Sequence, residues 1–213
     1  EIAERIESGE TCALVTDAGM PAISDPGEDL VALCASRGIP IAVVPGPCAA
    51  VSALALSGLP TGRFAFAGFL DANKKSRRDR LKAVCKDTRT LIFYEAPHKL
   101  RATLKDMLDI LGDRRISIVR EMTKIHEEVI RTTLSGAIEH FSINEPRGEF
   151  VLVVEGADEN AANNDAESGT DLSGEELVKM YMDMGMTRPE AVKRAAKETG
   201  ISRSELYKKT LDV

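Results

Sequence analysis

Short apolar runs alternate with stretches of helical spacing along most of the chain, the pattern of an α/β protein. Glu1 to Ile6 reads as the last turns of an amphipathic helix, and Cys12-Ala13-Leu14-Val15 as a short buried strand. A loop follows, with glycines at 19 and 27 and prolines at 21 and 26. Asp25-Pro26-Gly27-Glu28 then reads as a helix start, Asp25 capping free N–H groups, Pro26 in first position and Glu28 completing a capping-box-like pair. That helix runs from Glu28 to Arg37 and stops at Gly38. Pro40 to Val44 is nearly all apolar and predicts a second strand buried on both faces. It leads into Pro45-Gly46-Pro47-Cys48-Ala49-Ala50, a second strand–turn–helix junction, whose small residues let a backbone or a ligand approach closely. Two such junctions one strand apart imply neighbouring parallel strands with loops facing one pocket. A plainer reading of the first junction is a tight β–α connection.

Ser57-Gly58-Leu59-Pro60-Thr61-Gly62 breaks the pattern and marks a domain boundary. Beyond it, strands are predicted at 63–70, 90–94, 116–119, 128–133 and 149–154, with helices at 76–86, 97–111 and 135–141. This describes a mixed sheet of about five strands with helices. A polar, acidic stretch at 157–171 reads as a flexible linker. Three short helices follow, at 173–184, from 187 to 199 and at 202–210. The resulting organisation is 1–59 as an α/β domain, 60–156 as a second α/β domain, 157–171 as linker and 172–213 as a small helical domain. Arg188 to Tyr207 has the layout of a helix-turn-helix, with Arg203, Lys208 and Lys209 on or near its second helix. The alternative is a small bundle used for packing.

Composition adds limits rather than a class. At 213 residues there is room for one large or two small domains, and no run is long enough to span a bilayer. The chain opens without an initiator Met, a signal peptide or a targeting arm, so it reads as beginning in mid-domain, with an N-terminal part absent. Cys12, Cys34, Cys48 and Cys85 form no CxxC pair and read as reduced thiols, and His98, His126 and His140 lack metal-ligand spacing. No metal site is expected, and the setting reads as cytoplasmic. The net charge is −6, yet residues 155–176 hold eight acidic and no basic residues. Between Lys74 and Arg89 there are eight basic residues and two acidic ones. That stripe reads either as the footprint of a phosphate-backbone partner or as a solvated helix face.

The segments DAGMPAISDPG, VPGPCAAVSAL, FYEAPHKL, REMTKIHEE and PRGEFVLVVEG occur in this order and at distances that carry further meaning. Together they make residues 1–156 resemble the ribosomal RNA small-subunit methyltransferase I family. That family is part of the tetrapyrrole-methylase-like, class III S-adenosylmethionine methyltransferases. The helical tail also looks like the small C-terminal domain of many members. The resemblance implies a two-domain fold with the methyl donor in the cleft between the domains, usually in a homodimer. It further implies 2′-O-methylation of a cytidine ribose in the decoding region of small-subunit (16S) rRNA, on free RNA or on the assembled subunit. Members begin with a Gly-containing strand–loop and an acidic Asp-Thr-Arg segment, neither of which is present here.

Carried over by position, the donor contacts implied are Ala18, Gly19, Met20, Ile23, Cys48, Ala49, Glu95 and Met122. Where tetrapyrrole relatives carry Gly-Asp-Pro this chain has Gly19-Met20-Pro21, so contact at Met20 comes from backbone or apolar surface. Glu95 stands where a Met is common and either serves the donor or caps the helix at Pro97. The donor brings an activated methyl group, which leaves the protein to orient the partners and to take a proton from the ribose hydroxyl. Asp25, Glu121, Lys124 and Glu127 are candidates for that proton. Lys124 would need a lowered pKa, and each of the four has a plainer reading as a structural ion pair. Lys74, Lys75, Arg77, Arg78, Arg80 and Arg101 are expected to contact RNA phosphates. Two other readings share the pattern. A methyltransferase of tetrapyrrole or similar small molecules leaves the basic stripe and the tail without a purpose. A non-enzymatic RNA-binding relative would fit the loss of the acid at Met20.

Overall fold

The computed structural model describes residues 1–158, 173–199 and 201–210. The chain divides into two compact units, Glu1–Ala157 and Asp158–Val213. The first unit begins with α1 (Ile2–Glu7), α2 (Glu28–Ser36) and α3 (Ala49–Ser57). It continues with β1 (Phe64–Phe69), α4 (Lys74–Ala83), β2 (Thr90–Glu95), α5 (Pro97–Leu111) and β3 (Arg115–Arg120). It closes with β4 (Glu128–Thr133), α6 (Leu134–Ile143) and β5 (Phe150–Val154). The strands form one mixed five-stranded sheet in the order β1-β2-β5-β3-β4. Only β1 and β2 run parallel, joined through α4, and the other pairs are antiparallel.

Strand alternation divides the core between the two faces of the sheet. Leu91, Phe93, Ile116, Ile118, Phe150, Leu152 and Val154 face α4, α5 and α6. Ile92, Val119, Val151 and Val153 face α3. The central strands β2 and β5 are covered on both sides, which is why their sequences read as nearly unbroken apolar runs. Helix α5 starts with Pro97 at its first turn and buries Leu100, Leu104, Met107 and Leu111, a stripe at helical spacing. Asn73 caps α4 by accepting from the N–H groups of Lys75 and Ser76. Helix α3 is rich in alanine, and Ala50 and Ala53 lie flat on the sheet with almost no exposure. Helix α3 packs on β2, β3 and β5 within the first unit, and Gly58 turns the chain after it with φ +74°.

Three expectations fail in the first 48 residues. The runs at 12–15 and 40–44 form no strand, and Leu14, Val15, Val43 and Val44 are exposed, as is Cys12. A strand persists only as one side of a ladder, and among the described residues the sheet ends at β1 and β4 without reaching either run. Asp25 does not cap α2. The helix starts at Glu28 behind Gly27, whose φ of +128° turns the chain, and no side chain caps it.

One ion pair crosses the core. Asp106 on α5 accepts from Arg77 Nε at 2.8 Å and from Arg78 Nη1 at 2.7 Å, and Arg77 is itself buried. Arg77 also donates to the carbonyls of Asp71 and Ala72, so its guanidinium clamps the β1–α4 turn onto α5. The second unit is three helices, α7 (Gly174–Asp183), α8 (Arg188–Thr199) and α9 (Arg203–Lys209), at the positions predicted. They enclose Leu177, Val178, Tyr181, Ala191, Val192, Ala195 and Leu206, and Ser173 and Glu176 form a reciprocal capping box. The predicted linker at 157–171 lies, from 159 onward, outside the described residues.

Asp106→Ala leaves a buried guanidinium without its carboxylate and is expected to cost about 3–5 kcal/mol, measured by urea denaturation. Burial alone would push the Asp106 carboxyl up, but the hydrogen bonds and charges of Arg78 and Arg77 outweigh it and hold the group below the usual carboxylate range. A depressed acid stabilises the fold above its unfolded pKa of about 3.9 and loses that contribution as pH falls through the lower folded value. The urea midpoint is therefore expected to fall as pH drops below about 4, and to fall less steeply in Asp106→Asn.

Candidate functional site

The two junctions singled out in the sequence do meet. The Gly46 N–H donates to Met20 Sδ at 3.1 Å, and a Cβ at Gly19 would stand 3.4 Å from the Pro47 carbonyl oxygen. The 17–27 loop and the 45–48 loop thus form one wall lined by backbone, beside the N-terminus of α3. Cys48 and Met122 both pack against the α3 face of the sheet, which brings the 121–127 loop to the same place. Ala18, Ile23 and Ala49 are exposed there, so six of the eight predicted donor contacts lie on segments that the packing contacts join: Gly19 and Met20 by contact, Cys48 and Met122 through the shared cluster, Ala18 and Ala49 as immediate neighbours. Ile23 lies further along the first loop.

Tyr94, absent from the sequence-based set, is central to this wall. It is the last residue of β2 on the α3 face, and its hydroxyl accepts the Ala50 N–H at 3.1 Å. Burial pushes its phenol up, and nearby Cys48 and Asp25 add to the effect. It stays a neutral hydroxyl at physiological pH. Asp25 itself makes no hydrogen bond or ion pair with any described residue. The signal for Tyr94 was present in the alternation of β2, which leaves it on the ligand-bearing edge of the sheet.

Backbone strain is concentrated on either side of this wall. Among the described residues, the non-glycine residues with positive φ are Ala22 (+64°) and Ser24 (+60°) in one loop, and Glu121 (+49°) and Thr123 (+66°) in the other. Such conformations persist only where surrounding structure over-determines them. In the second loop the restraint is visible. Glu121 and Glu149 exchange N–H bonds, at 3.0 Å to the Glu149 carbonyl and 2.9 Å to Glu121 Oε1. Lys124 Nζ donates to Glu121 Oε1 at 3.1 Å and to Glu149 Oε2 at 2.9 Å, and the Thr123 N–H donates to Glu127. Gly148, with φ +83°, leaves room for Glu121, and a Cβ there would fall 2.5 Å from its carboxyl carbon. The REMTKIHEE and PRGEF segments are therefore one interlocked unit.

This interlock corrects two expectations. Lys124 is raised, by the carboxylates of Glu149 and then Glu121, so it is held as a cation and not as a neutral amine. Glu121 is lowered, first by the Glu149 N–H and then by Lys124, which makes it a weaker base. Glu95 is also spent elsewhere. It is buried on the other face of the sheet, where it accepts from Thr103 Oγ1 at 2.5 Å and from the Ala96 N–H at 2.8 Å, and pairs with Lys99 at 3.0 Å. No free carboxylate oxygen remains for a donor, and the helix-capping reading fails too, since Ala96 occupies the cap position of α5.

The basic stripe is likewise divided. Arg77 is in the core with Asp106, and Arg78 is shared between Asp106 and Asp109, so neither is free for phosphate. Arg80 donates to the carbonyls of Phe69 and Ala67 along the open edge of β1, protecting that edge. Arg101 donates to the Phe141 and Asn144 carbonyls at the end of α6. Carbonyls do not neutralise the charge of Arg80 or Arg101, both residues are exposed, and Arg101 lies within electrostatic range of Glu145. Lys74 and Lys75 are exposed and pair with no carboxylate among the described residues.

Comparison with known proteins places the chain. Residues 1–138 match the family model for tetrapyrrole (corrin/porphyrin) methylases. A Synechocystis protein named ribosomal RNA small subunit methyltransferase I is 41% identical over 214 residues, covering 100% of this chain and 75% of the relative. Its namesakes in Halalkalibacterium halodurans and Bacillus subtilis are 46% and 42% identical, covering 93% and 97% of this chain and 68% and 71% of the relatives. Among solved structures, the methyltransferase CobJ matches with a TM-score of 0.54 at 20% identity, over 72% of this chain and 68% of that one, which shows a shared fold. The chain belongs to the tetrapyrrole methylases and, within them, to the ribosomal RNA small subunit methyltransferase I family.

Proposed function

We propose that this enzyme transfers a methyl group from S-adenosylmethionine to the 2′-hydroxyl of a cytidine in the decoding region of small-subunit rRNA. It acts in the cytoplasm as a homodimer, on rRNA or the assembled small subunit. The observation that carries this reading is the identity of more than 40% with ribosomal RNA methyltransferases over almost the whole chain. No described helix is long and apolar enough to cross a membrane. The donor fits the wall at α3. Backbone groups and small residues at 18–19 and 46–49 suit close approach, Met20, Ile23 and Met122 offer apolar surface, and Asp17 on the first loop complements a cation.

When bound, the donor supplies an activated methyl group, and the chain's residues do the rest. Asp25 is the best placed of the candidate bases. Its carboxylate is unengaged among the described residues, within electrostatic range of the neutral Tyr94, whereas Glu121 and Lys124 neutralise each other in the strained loop. Asp25 takes the proton of the ribose hydroxyl as that oxygen accepts the methyl group. Glu121 and Lys124 hold the 121–127 loop against the donor wall. Lys74 and Lys75, with Arg80 and Arg101, provide the positive surface for the RNA backbone, and Arg203, Lys208 and Lys209 add a second one on the tail.

Labelled methyl transfer to small ribosomal subunits, followed by digestion to nucleosides, tests the assignment. Label is expected in 2′-O-methylcytidine, and label in a free tetrapyrrole instead would overturn it. Asp25→Asn is expected to slow transfer by about 10²–10⁴-fold with donor affinity intact, and an undiminished rate would place the base elsewhere. RNA affinity is expected to fall steeply with salt. Lys74→Ala with Lys75→Ala is expected to reduce the slope of log affinity against log salt by about 1–2.

A further inference from the structure

The chain has six phenylalanines and no tryptophan, yet three of the six, Phe64, Phe66 and Phe69, are exposed on one edge strand, β1. Aromatic side chains are the largest apolar groups available, and leaving them in water forfeits their burial. Phe66 and Phe69 are three residues apart, which in a regular strand puts them on opposite faces. Here the β1–β2 register shifts between Phe66 and Gly68, with Gly68 at φ +65°. The bulge returns both rings to one side. Phe66 and Tyr94 pack in a T-shaped arrangement with 4.9 Å between ring centroids, and Phe69 meets the same ring at 5.5 Å. The rings thus form a shelf that runs out from the candidate site, since Tyr94 bonds Ala50 at the N-terminus of α3.

The shelf is framed by cations. Lys99, paired with Glu95, places Nζ 5.7 Å from the centroid of Phe69 and donates to the Leu70 carbonyl at 2.9 Å, so its charge is spent within the fold. Arg80 grips the Phe69 and Ala67 carbonyls along the outer edge, and Lys74 and Lys75 follow at the start of α4. Exposed aromatic faces bordered by positive charge match the two chemistries of a single-stranded nucleic acid, π-faces and phosphates.

We infer that Phe66 and Phe69, backed by Tyr94, form a stacking platform for a base of the substrate RNA next to the reacting ribose. The inference rests on the proposed function and deepens it by naming how the strand is positioned. Stacking requires a base that is out of its helix, so the platform selects unpaired nucleotides and acts on positioning, not on the chemical step.

The test compares the 213-residue protein with Phe66→Leu, Phe69→Leu and the double variant, which keep apolar side chains on the edge strand. The probes are a polycytidylate oligonucleotide and a ribose-phosphate oligomer of equal length that lacks bases. Affinity of the double variant for polycytidylate is expected to fall about tenfold or more, with affinity for the baseless oligomer unchanged. Phe69→Tyr, which retains a ring, is expected to bind like wild type. Binding of polycytidylate by the double variant as tight as wild type overturns the platform alone. Loss of S-adenosylmethionine affinity with RNA affinity intact assigns the rings to the donor and also overturns it. A wild-type protein that binds neither oligomer contradicts the function reading as well, so the two failures are distinguishable. A thermal melt of each variant separates a loss of stacking from a loss of fold.

Discussion

The close seating of α3 on the sheet is the constraint on which the site depends. Ala50 and Ala53 bring the helix backbone down onto Ile92, Val151 and Val153, and the Tyr94 hydroxyl accepts the Ala50 N–H at the helix's first turn. Alanine suits this place for two reasons: it favours helix, and it has no bulk to hold the helix away from the strands. The helix start is thereby fixed relative to the ends of β2 and β3. The 45–48 loop, the 17–27 loop that packs on it and the 121–127 loop all take their positions from that one seat.

The same arrangement explains where charge is spent. Most arginines of the first unit that look in the sequence like RNA ligands are used to close the fold, by gripping carbonyls or the buried Asp106. Guanidinium forks suit that work because several N–H donors leave in one plane. Lysines at 74 and 75, as point charges on long stems, stay in solvent. Carboxylates divide similarly. Glu95 and Glu121 are neutralised within the fold, whereas Asp25 pairs with no described residue.

How much was legible in the sequence follows from how local each signal is. Strands β1 to β5 and helices α4 to α9 announce themselves through alternation, caps and helical stripes, and the tail helices through the Ser173 and Ser202 caps. The runs at 12–15 and 40–44 carry equally strong strand patterns but need a ladder partner, which composition does not show. Asp25-Pro26-Gly27-Glu28 has every residue of a helix start. The positive φ of Gly27 nonetheless moves the start past Asp25. Within the site, the meeting of the two junction loops was readable from their spacing. The loss of Arg77 to the core and of Glu95 to the opposite face was not, because each depends on a partner, Asp106 or Thr103 with Lys99, that belongs to α5. Tyr94 lay in plain view as the last residue on one face of β2.

We propose that the donor sits at the N-terminus of α3, between the two strained loops. Hydrogen–deuterium exchange of the full chain with and without S-adenosylhomocysteine measures this directly. Slowed exchange is expected, confined to residues 17–27, 45–50 and 120–127, with the α4 amides unaffected. Protection elsewhere in the first unit, with those three segments unchanged, would contradict it.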